Sequence, residues 1–395
     1  MTENGHWILP QGMEEALPEQ AARLESLRRN LLDLYTSWCY EMVMPPFIDH
    51  IESLLTGTGH DLDLQTFKLV DQLSGRTLGI RADMTPQVAR IDAHQLKRDV
   101  PTRLCYIGTV LRTRSDSFGS SRSPLQVGAE LYGHAGVESD VEILDLMLKT
   151  FEVAGVDDIY LDIGNVDIYK NLAKLAGLDT QDEIRLFELL QQKAVTEIRQ
   201  LVAGLNLDAT LATMITQLAE LNGSMSMISR ARELLKPAGP DVMSAIDYLE
   251  KVAMGVSNHN QGVKLNIDLA ELHGYHYHTG VVFGAFVPQH GQEIARGGRY
   301  DDIGKIFGRA RAATGFSTDL KQLLGLSTST MQSPQKVLAP ADEDHELQMK
   351  IEKLRVEGYC VSRMLPGQAD DAAAMGCSHK LEQINGQWQL VPIES

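Results

Sequence analysis

Two strand-like segments joined by a polar loop constrain this chain more than any other feature. Residues 105–114 read Cys-Tyr-Ile-Gly-Thr-Val-Leu-Arg-Thr-Arg, and the return strand includes Gln126 after a loop rich in serine and glycine. This pattern predicts an antiparallel pair. Gln126 and Glu130 are an even number of residues apart, so their side chains point to one face. With Arg112 near the end of the first strand, that face offers a cation, an amide and a carboxylate, which suits a zwitterion such as an amino acid.

The same segment resembles the second signature motif of the class II aminoacyl-tRNA synthetases, and of the histidyl enzymes in particular. That motif has the form Phe-Arg-x-Glu, a loop, and then Gln-x-x-x-Glu. This chain keeps Arg112, Gln126 and Glu130. It carries Arg114 where the family has the glutamate that reads adenine. The resemblance therefore implies a retained amino-acid floor and a lost adenine contact.

Further motifs extend the resemblance over most of the chain. A helical run over 19–38, followed by residues 40–46, is similar to the first motif, whose terminal proline lies at a dimer interface in that family. Residues 81–85, Arg-Ala-Asp-Met-Thr, match Arg-Pro-Glu-Gly-Thr, which contacts the amino acid. Residues 272–280 align with the histidine-specific Arg-Gly-Leu-Asp-Tyr-Tyr-Thr-Gly, and Gly-Gly-Arg-Tyr-Asp at 297–301 is unchanged.

The resemblance implies a histidine pocket built from these motifs. Asp83 keeps the charge of the family's glutamate with a shorter reach. The predicted histidine-binding residues are Asp83, Thr85, Arg112, Gln126, Glu130, His273, Tyr277 and Tyr300. Each has a structural alternative, since an arginine on a strand often pairs with a nearby carboxylate. The histidines at 273, 276 and 278 suggest a metal site, but coordination needs a third ligand and outer-shell support, and the sequence supplies neither. We therefore predict a pocket wall or a surface strand there.

The departures from the family concern the chemistry. His273 stands where the histidyl enzymes place a catalytic arginine, and Gln322 ends the third motif where an arginine would grip the ATP phosphates. Losing one preorganised donor to a developing charge typically costs roughly 3 to 4 kcal/mol. Together with the change at Arg114, these substitutions predict a chain that does not form an aminoacyl adenylate. We therefore expect no catalytic residue, no cofactor and no enzymatic activity of its own.

Charge and cysteine usage narrow the function further. The formal net charge is −17, whereas a protein that binds tRNA usually presents a basic face. The four cysteines are scattered without a Cys-x-x-Cys pair, so neither a zinc site nor a disulfide framework is indicated. No apolar stretch is long enough to span a membrane, and the amino terminus does not resemble a signal peptide. We expect a soluble cytoplasmic protein that binds no nucleic acid and no membrane.

The period of the apolar residues divides the chain into parts. We predict an α+β fold, in which a class II synthetase-like antiparallel sheet is flanked by helices and formed by residues 1–165 and 256–326. The period becomes helical over 166–255, with runs at 183–205 and 207–221, and histidyl-type synthetases carry a helical insertion here. A helix is predicted at 311–323. A linker at 327–335 leads to a small α/β domain at 336–395, with a short helix at 370–375 and a hairpin turning at Asn385-Gly386.

A chain that keeps the histidine pocket and loses the ATP contacts resembles a paralogue family, the regulatory subunits of ATP phosphoribosyltransferase. That family accompanies the short form of the catalytic subunit in the first step of histidine biosynthesis. The resemblance implies activation of this partner, feedback inhibition by histidine as effector, and a hetero-octamer, with a dimer formed through the first motif. Two alternatives stay open: a working histidine-tRNA ligase with substituted catalytic groups, and a structural partner without a ligand.

Overall fold

Two units make up the chain, Met1–Ser329 and Thr330–Ser395. The computed structural model describes residues 7–55, 60–115, 121–270, 277–288, 290–305, 307–329, 335–369 and 371–393. In these ranges, no helix is both long enough and apolar enough to cross a membrane.

Strands of the first unit form two sheets. In chain order they are β1 (Glu41–Met42), β2 (Ile48–His50), β3 (Phe67–Val70), β4 (Thr77–Ile80), β5 (Thr102–Thr109), β6 (Leu125–Tyr132), β7 (Tyr160–Asn165), β8 (Asn222–Gly223), β9 (Lys264–Asp268), β10 (Val281–Val287), β11 (His290–Arg299) and β12 (Ala313–Asp319). The large sheet has the order β1-β5-β6-β12-β11-β10-β7-β9-β8, and the small sheet has the order β2-β4-β3. The five central pairs from β5 to β7 are antiparallel, as the alternating sequence pattern predicts.

Helices of the first unit cover the sheet and form the segment between β7 and β9. They are α1 (Pro18–Ser37), α2 (Ile51–Leu55), α3 (His60–Gln65), α4 (Thr85–Arg90), α5 (Val137–Ala154), α6 (Val166–Ala176), α7 (Thr180–Gln191), α8 (Val195–Gly204), α9 (Ala209–Leu218), α10 (Ser226–Leu235), α11 (Pro240–His259) and α12 (Leu320–Leu326). A π-helix, Ile91–Leu96, continues α4. Short 3-10 turns lie at Lys236–Ala238 and Ile303–Lys305.

The core of the first unit lies between the large sheet and the helices α1 and α5. Tyr35 of α1 is fully buried, meets Phe316 of β12 edge to face at 6.5 Å between ring centroids, and hydrogen bonds to Thr150 of α5 at 3.2 Å. Edge-to-face pairs of this kind stabilise a core beyond the area they bury. This packing fixes one face of the sheet, so β5, β6 and β12 hold their other side chains in place for a site.

Local capping explains where the helices of the inserted segment begin and end. Asn165 accepts a hydrogen bond from the amide of Asp167 at the start of α6, and Gly177 ends that helix with a φ of 62°. Asp179 and Asp208 cap α7 and α9 in the same way. Short polar side chains at these positions satisfy amides that have no partner within the helix. The segment is therefore six separate helices.

The second unit is a four-stranded sheet with one helix. Its elements are β13 (Lys336–Ala339), α13 (His345–Val356), β14 (Cys360–Arg363), β15 (His379–Ile384) and β16 (Gln387–Pro392), in the sheet order β14-β13-β15-β16. Asn385 and Gly386 have φ values of 51° and 77°, as a two-residue hairpin turn requires. The predicted hairpin is confirmed. Its apolar core contains Val337, Ala339, Leu347, Ile351, Leu354, Val361 and Leu381.

Three local predictions are wrong. Residues 313–319 form strand β12 rather than a helix, because they pair with β6 on one side and β11 on the other, and the helix begins only at Leu320. The run 183–205 is broken between α7 and α8, where Lys193 has a φ of 51°. Residues 372–376 form turns and not a helix, and residue 370 lies outside the described ranges.

Candidate functional site

A buried carboxylate, Glu130, lies at the centre of the candidate site. It projects from β6 with 1% of its surface exposed. Three hydroxyl groups donate to it: Tyr106 at 2.9 Å, Thr85 at 3.1 Å, and Tyr300 through the other carboxylate oxygen. Among the residues that the structure describes, no lysine or arginine pairs with it. We call Glu130, Tyr106, Thr85 and Tyr300 the Glu130 pocket.

The environment of Glu130 opposes its ionisation. Burial raises the pKa of its carboxyl to about 8, and the nearby charge of Asp83 adds to the rise. The hydroxyls of Tyr300, Tyr106 and Thr85 lower the pKa, because hydrogen bonds to a carboxylate favour the charged form. Burial is the larger effect. A cation entering the pocket would favour the ionised form of this carboxyl.

Two glycines, which have no side chain, leave room for this carboxylate and for Tyr106. A Cβ atom on Gly315 of β12 would lie 1.6 Å from a carboxylate oxygen of Glu130, and one on Gly128 would lie 2.5 Å from the Tyr106 hydroxyl. Gly315 is directly opposite Glu130 in the β6–β12 ladder, and Gly128 is opposite Tyr106 in the β5–β6 ladder. The two glycines allow Glu130 and Tyr106 to occupy the same face of the sheet.

Gln126 and Asp83 form a second polar group beside the pocket. The side-chain amide of Gln126 donates to Asp83 at 2.9 Å, and its carbonyl oxygen accepts from the amide of Met84 at 2.9 Å. Asp83 also accepts from the amide of Thr85 at 2.9 Å. Gln126 is buried, whereas Asp83 and Thr85 are half-buried. These bonds fix the start of α4 against β6, and both of the bonds to Asp83 use the same carboxylate oxygen.

Arg112 lies in the segment after β5 rather than on the strand itself. It is half-buried, and its Nε donates to the carbonyl of Ala82 at 3.4 Å. Its main-chain amide donates to the carbonyl of Arg122 at 2.9 Å, which links the two sides of the loop. Its charge lowers the pKa of Asp319, although burial raises that pKa overall. Arg112 is thus near the Asp83 end of the site.

The residues of the Gly-Gly-Arg-Tyr-Asp motif at 297–301 have different roles. Tyr300 enters the Glu130 pocket with 2% of its surface exposed. Arg299 points elsewhere and forms two charge-assisted bonds to the buried Asp140 of α5, at 2.9 and 3.1 Å. Asp301 accepts from the amide of Ala313 at 2.9 Å. The arginine and the aspartate therefore hold the fold, and the tyrosine alone reaches the pocket.

The remaining predicted residues are Tyr277 and His273. Tyr277 is 37% exposed, and its ring centroid lies 4.2 Å from that of the buried His278. Burial of the hydroxyl raises the pKa of its phenol, and the charges of Asp83 and Glu130 add to the rise, whereas that of Arg296 lowers it. His273 and His276 lie outside the described residues. In the part of the chain that is described, no group of three or more His, Cys, Asp or Glu residues has the arrangement of a metal site.

Two other substituted positions, Gln322 and Arg114, lie away from the pocket. The Gln322 side-chain amide lies 2.8 Å from Nε2 of His290 and donates to the carbonyl of Glu293 at 3.2 Å. It carries no charge for a phosphate group. Arg114 is exposed at the surface. Neither residue contributes to the Glu130 pocket.

Tyr106 is the pocket residue that the sequence analysis missed. It is fully buried and donates to Glu130, yet it lies in the middle of an apolar strand and reads as a core residue. The sequence feature that could have revealed it is Gly128, which is opposite Tyr106 on the facing strand. A glycine opposite an aromatic residue indicates that the aromatic side chain extends over the glycine.

Comparison with known proteins identifies the family. A model of histidyl-tRNA synthetase matches residues 12–323, and a model of the ATP phosphoribosyltransferase subunit HisZ C-terminal domain matches residues 334–391. An ATP phosphoribosyltransferase regulatory subunit from Thioalkalivibrio sulfidiphilus is 58% identical over 395 residues and covers 100% of both chains. The chain belongs to the ATP phosphoribosyltransferase regulatory subunit family. Another relative, from Methylococcus capsulatus, is 54% identical over 98% of this chain and 97% of its own.

Solved structures agree with this assignment. A protein described as an ATP phosphoribosyltransferase regulatory subunit/histidyl-tRNA synthetase from Bacillus halodurans has a TM-score of 0.83 at 28% identity, covering 94% of this chain and 96% of its own. A histidyl-tRNA synthetase from Nostoc has a TM-score of 0.79 at 18% identity, covering 95% of this chain and 91% of its own, which shows the fold alone. The predicted α+β, class II synthetase-like fold is confirmed. Family membership implies a regulatory rather than a catalytic role in the ATP phosphoribosyltransferase complex.

Proposed function

We propose that the Glu130 pocket binds histidine and that its occupancy inhibits an ATP phosphoribosyltransferase catalytic subunit activated by this chain. One observation carries the proposal: Glu130 is buried among hydroxyl donors, and no cation pairs with it among the described residues. A carboxylate in this setting is costly unless a cation approaches. The amino-acid ligand supplies one.

We assign the contacts as follows. Glu130, alone or with Asp83, pairs with the α-ammonium group, and Arg112 faces the carboxylate. Gln126 completes the floor by holding Asp83 through the bond described above, and Thr85 lies beside Glu130. Tyr277 and Tyr300 are assigned to the imidazole, and His273, which lies outside the described residues, stays a predicted pocket residue. These roles follow from the chemistry of the side chains and from the family resemblance.

The partner in this proposal is the short-form catalytic subunit, in a hetero-octamer with equal numbers of the two chains. The chain itself is proposed to form a dimer through the first motif, residues 19–46, in the cytoplasm. The formal net charge of −17 supports a protein partner over a nucleic acid. The domain boundaries at 166–255 and 336–395 stay predictions.

Phosphoribosyl transfer by the catalytic subunit tests the proposal. The rate is measured for that subunit alone, with this chain, and with its Glu130→Ala variant, each across a histidine titration. We expect this chain to raise the turnover and confer inhibition by histidine. Glu130→Ala should keep the activation and lose the inhibition, because removing one member of a desolvated pair costs roughly 2 to 5 kcal/mol. Calorimetry should then detect no histidine binding to the variant.

Glu138→Ala is the matched control, since it removes an exposed carboxylate on the same chain, at the start of α5. It should behave as the wild type. Identical histidine responses of the wild type and Glu130→Ala would place the feedback site elsewhere. Exchange of pyrophosphate into ATP at the rate of a synthetase would instead favour a working histidine-tRNA ligase.

A further inference from the structure

One helical segment runs from the Glu130 pocket to the edge of the large sheet. It begins at Thr85, whose hydroxyl donates to Glu130, and α4 passes directly into the π-helix Ile91–Leu96. Just beyond the π-helix, Arg98 forms an ion pair with Glu41 of the edge strand β1. The two ends of the segment therefore contact two different parts of the molecule, the pocket and the edge.

The middle of the segment is bonded to the chain that follows β1. Gln87 is 1% exposed, and its side-chain amide donates to the carbonyl of Pro46 at 3.0 Å. Arg90 pairs with Asp49 at 2.6 Å. One apolar cluster contains residues of the segment, of the pocket and of this chain: Val88, Ala89, Leu96, Tyr106, Tyr300 and Val43. A movement of the segment thus alters the contacts of residues 41–49.

The π-helix gives the segment a second possible arrangement. The amide of Lys97 donates to the carbonyl of Asp92, five residues earlier, at 3.0 Å, whereas within α4 the amide of Val88 donates to Met84, four residues earlier. An exchange from π to α pairing would move everything beyond it by one residue, about 1.5 Å along the axis and about 100° around it. Lys97 has a φ of 50°, an unfavourable value for a lysine.

A buried ion pair stabilises the π form. Asp92 pairs with Arg311 at 2.8 Å, and their side chains are 2% and 8% exposed. Arg311 also donates to the carbonyl of Val100 at 2.6 Å. Asp92 lies in the π-helix and Val100 lies just beyond it, so Arg311 links the π-helix to the chain that follows. These bonds favour the π arrangement of the segment.

We propose that this segment transmits occupancy of the Glu130 pocket to the β1 edge, defined as residues 41–46, through exchange between π and α pairing at 91–97. The inference rests on the proposed function, because histidine is the ligand that competes with Thr85 for Glu130. When the ligand occupies Glu130, the Thr85 hydroxyl loses an acceptor at the first residue of α4. The π turn is where the segment can change length, and Arg98 carries that change to Glu41.

The β1 edge is suited to pass such a change to another chain. β1 pairs with β5 on one side in the large sheet and is a terminal strand of it. A cavity of about 580 Å³ opens beside it, lined in part by Glu41, Met42, Arg98 and Arg103. A shift of Arg98 would reshape this cavity directly.

Hydrogen exchange of the full chain, with and without histidine, tests the inference. Peptides covering 81–86 and 126–132 report the pocket, and peptides covering 41–46 and 97–105 report the edge. In the wild type, histidine should slow exchange in the pocket peptides and change it in the edge peptides by about fivefold or more, the lower end of typical coupling between sites. A response of the pocket peptides without one of the edge peptides would overturn the inference and leave the proposed function standing. No response anywhere would defeat the proposed function itself.

Deletion of Gln95, an exposed residue of the π-helix, removes the extra residue and favours α pairing. This variant should keep the histidine response of the pocket and lose that of the edge, whereas Gln95→Ala, which keeps the chain length, should respond as the wild type. An edge response that persists after the deletion would show that the π turn is not the element involved. Arg98→Gln gives an independent test without a deletion, because it cuts the segment from Glu41 and should weaken the edge response alone.

Discussion

Two buried carboxylates in the same domain differ in how their charge is compensated. Asp140 has no exposed surface and receives two bonds from the Arg299 guanidinium, with a third from the Tyr248 hydroxyl at 2.8 Å. Glu130 is as deeply buried but receives only hydroxyl donors among the described residues. The first is a finished ion pair that joins β11, α5 and α11. The second lacks a counter-charge, which is the property expected of a binding group.

This difference matters because sequence motifs do not distinguish the two. Arg299 and Tyr300 are neighbours in the same unchanged motif, yet one completes the structural pair and the other enters the pocket. A motif retained from a synthetase therefore contains both structural and ligand-binding residues. What distinguishes a structural residue from a ligand-binding one is whether the carboxylate that it contacts already has a counter-charge. The motif does not show this.

The largest expected effect is on the structural pair. Asp140→Ala should lower the free energy of unfolding by about 3 to 5 kcal/mol, because it leaves the Arg299 cation buried without its main partner. Urea unfolding followed by circular dichroism measures this. The double variant Asp140→Ala, Arg299→Met should recover part of the loss, since the uncompensated charge is gone. A double variant no more stable than the single one would show that packing, not charge, dominates at this position.

In protein without histidine, substitution of Glu130 should raise the free energy of unfolding, whereas substitution of Asp140 should lower it. The Glu130 pKa of about 8 lies above the ordinary value of 4.5, so the folded state binds the proton more tightly than the unfolded state. The contribution of this group is fully present below pH 4.5 and is lost as the pH rises through 8, a change of at most about 5 kcal/mol. Glu130→Gln removes this ionisation. We therefore expect it to make the free energy of unfolding at pH 8 higher than that of the wild type, while histidine binding is lost.

Urea unfolding of the wild type and of Glu130→Gln between pH 5 and 9 tests this expectation. The two curves should diverge as the pH rises. Glu138→Gln provides the control, because an exposed carboxylate should leave the pH profile unchanged. Parallel curves for all three proteins would mean that Glu130 is already compensated, and the contrast with Asp140 would no longer hold.

The sequence predicted the elements of the site better than their environment. Alternation over 105–114 and 126–130 predicted the β5–β6 pair, and even spacing placed Gln126 and Glu130 on one face, where the structure has them. These are local properties of a strand. The third hydroxyl on Glu130 comes from Tyr300, 170 residues later, and local pattern carries no information about such a contact. That tyrosine was found through the family motif alone.

The wrong helix at 311–323 has a similar cause. Residues 313–319 are short on bulky apolar side chains, and a strand there is stabilised by ladders to β6 and β11 on both sides rather than by its own propensity. Gly315 weakens a helix and a strand alike, and its role becomes clear only when the carboxylate of Glu130 is seen 1.6 Å from where its Cβ would be. Tertiary contacts therefore decided both the element and the residue.

The smallest expected effect compares two buried tyrosines next to the pocket. Tyr106 donates to Glu130 at 2.9 Å, whereas the Tyr132 hydroxyl is buried without a hydrogen-bond partner in the described part of the chain, and its ring meets that of Tyr300 edge to face at 6.4 Å. Removing a hydroxyl that serves the ionised carboxylate should weaken histidine binding by about 1 to 2 kcal/mol, roughly 5- to 30-fold. Removing an unpaired buried hydroxyl should leave binding unchanged and keep or slightly raise stability. Calorimetric titration of Tyr106→Phe and Tyr132→Phe with histidine measures the difference. Equal affinities would show that Glu130 does not need the Tyr106 bond in the bound state, so that the ligand cation alone compensates its charge.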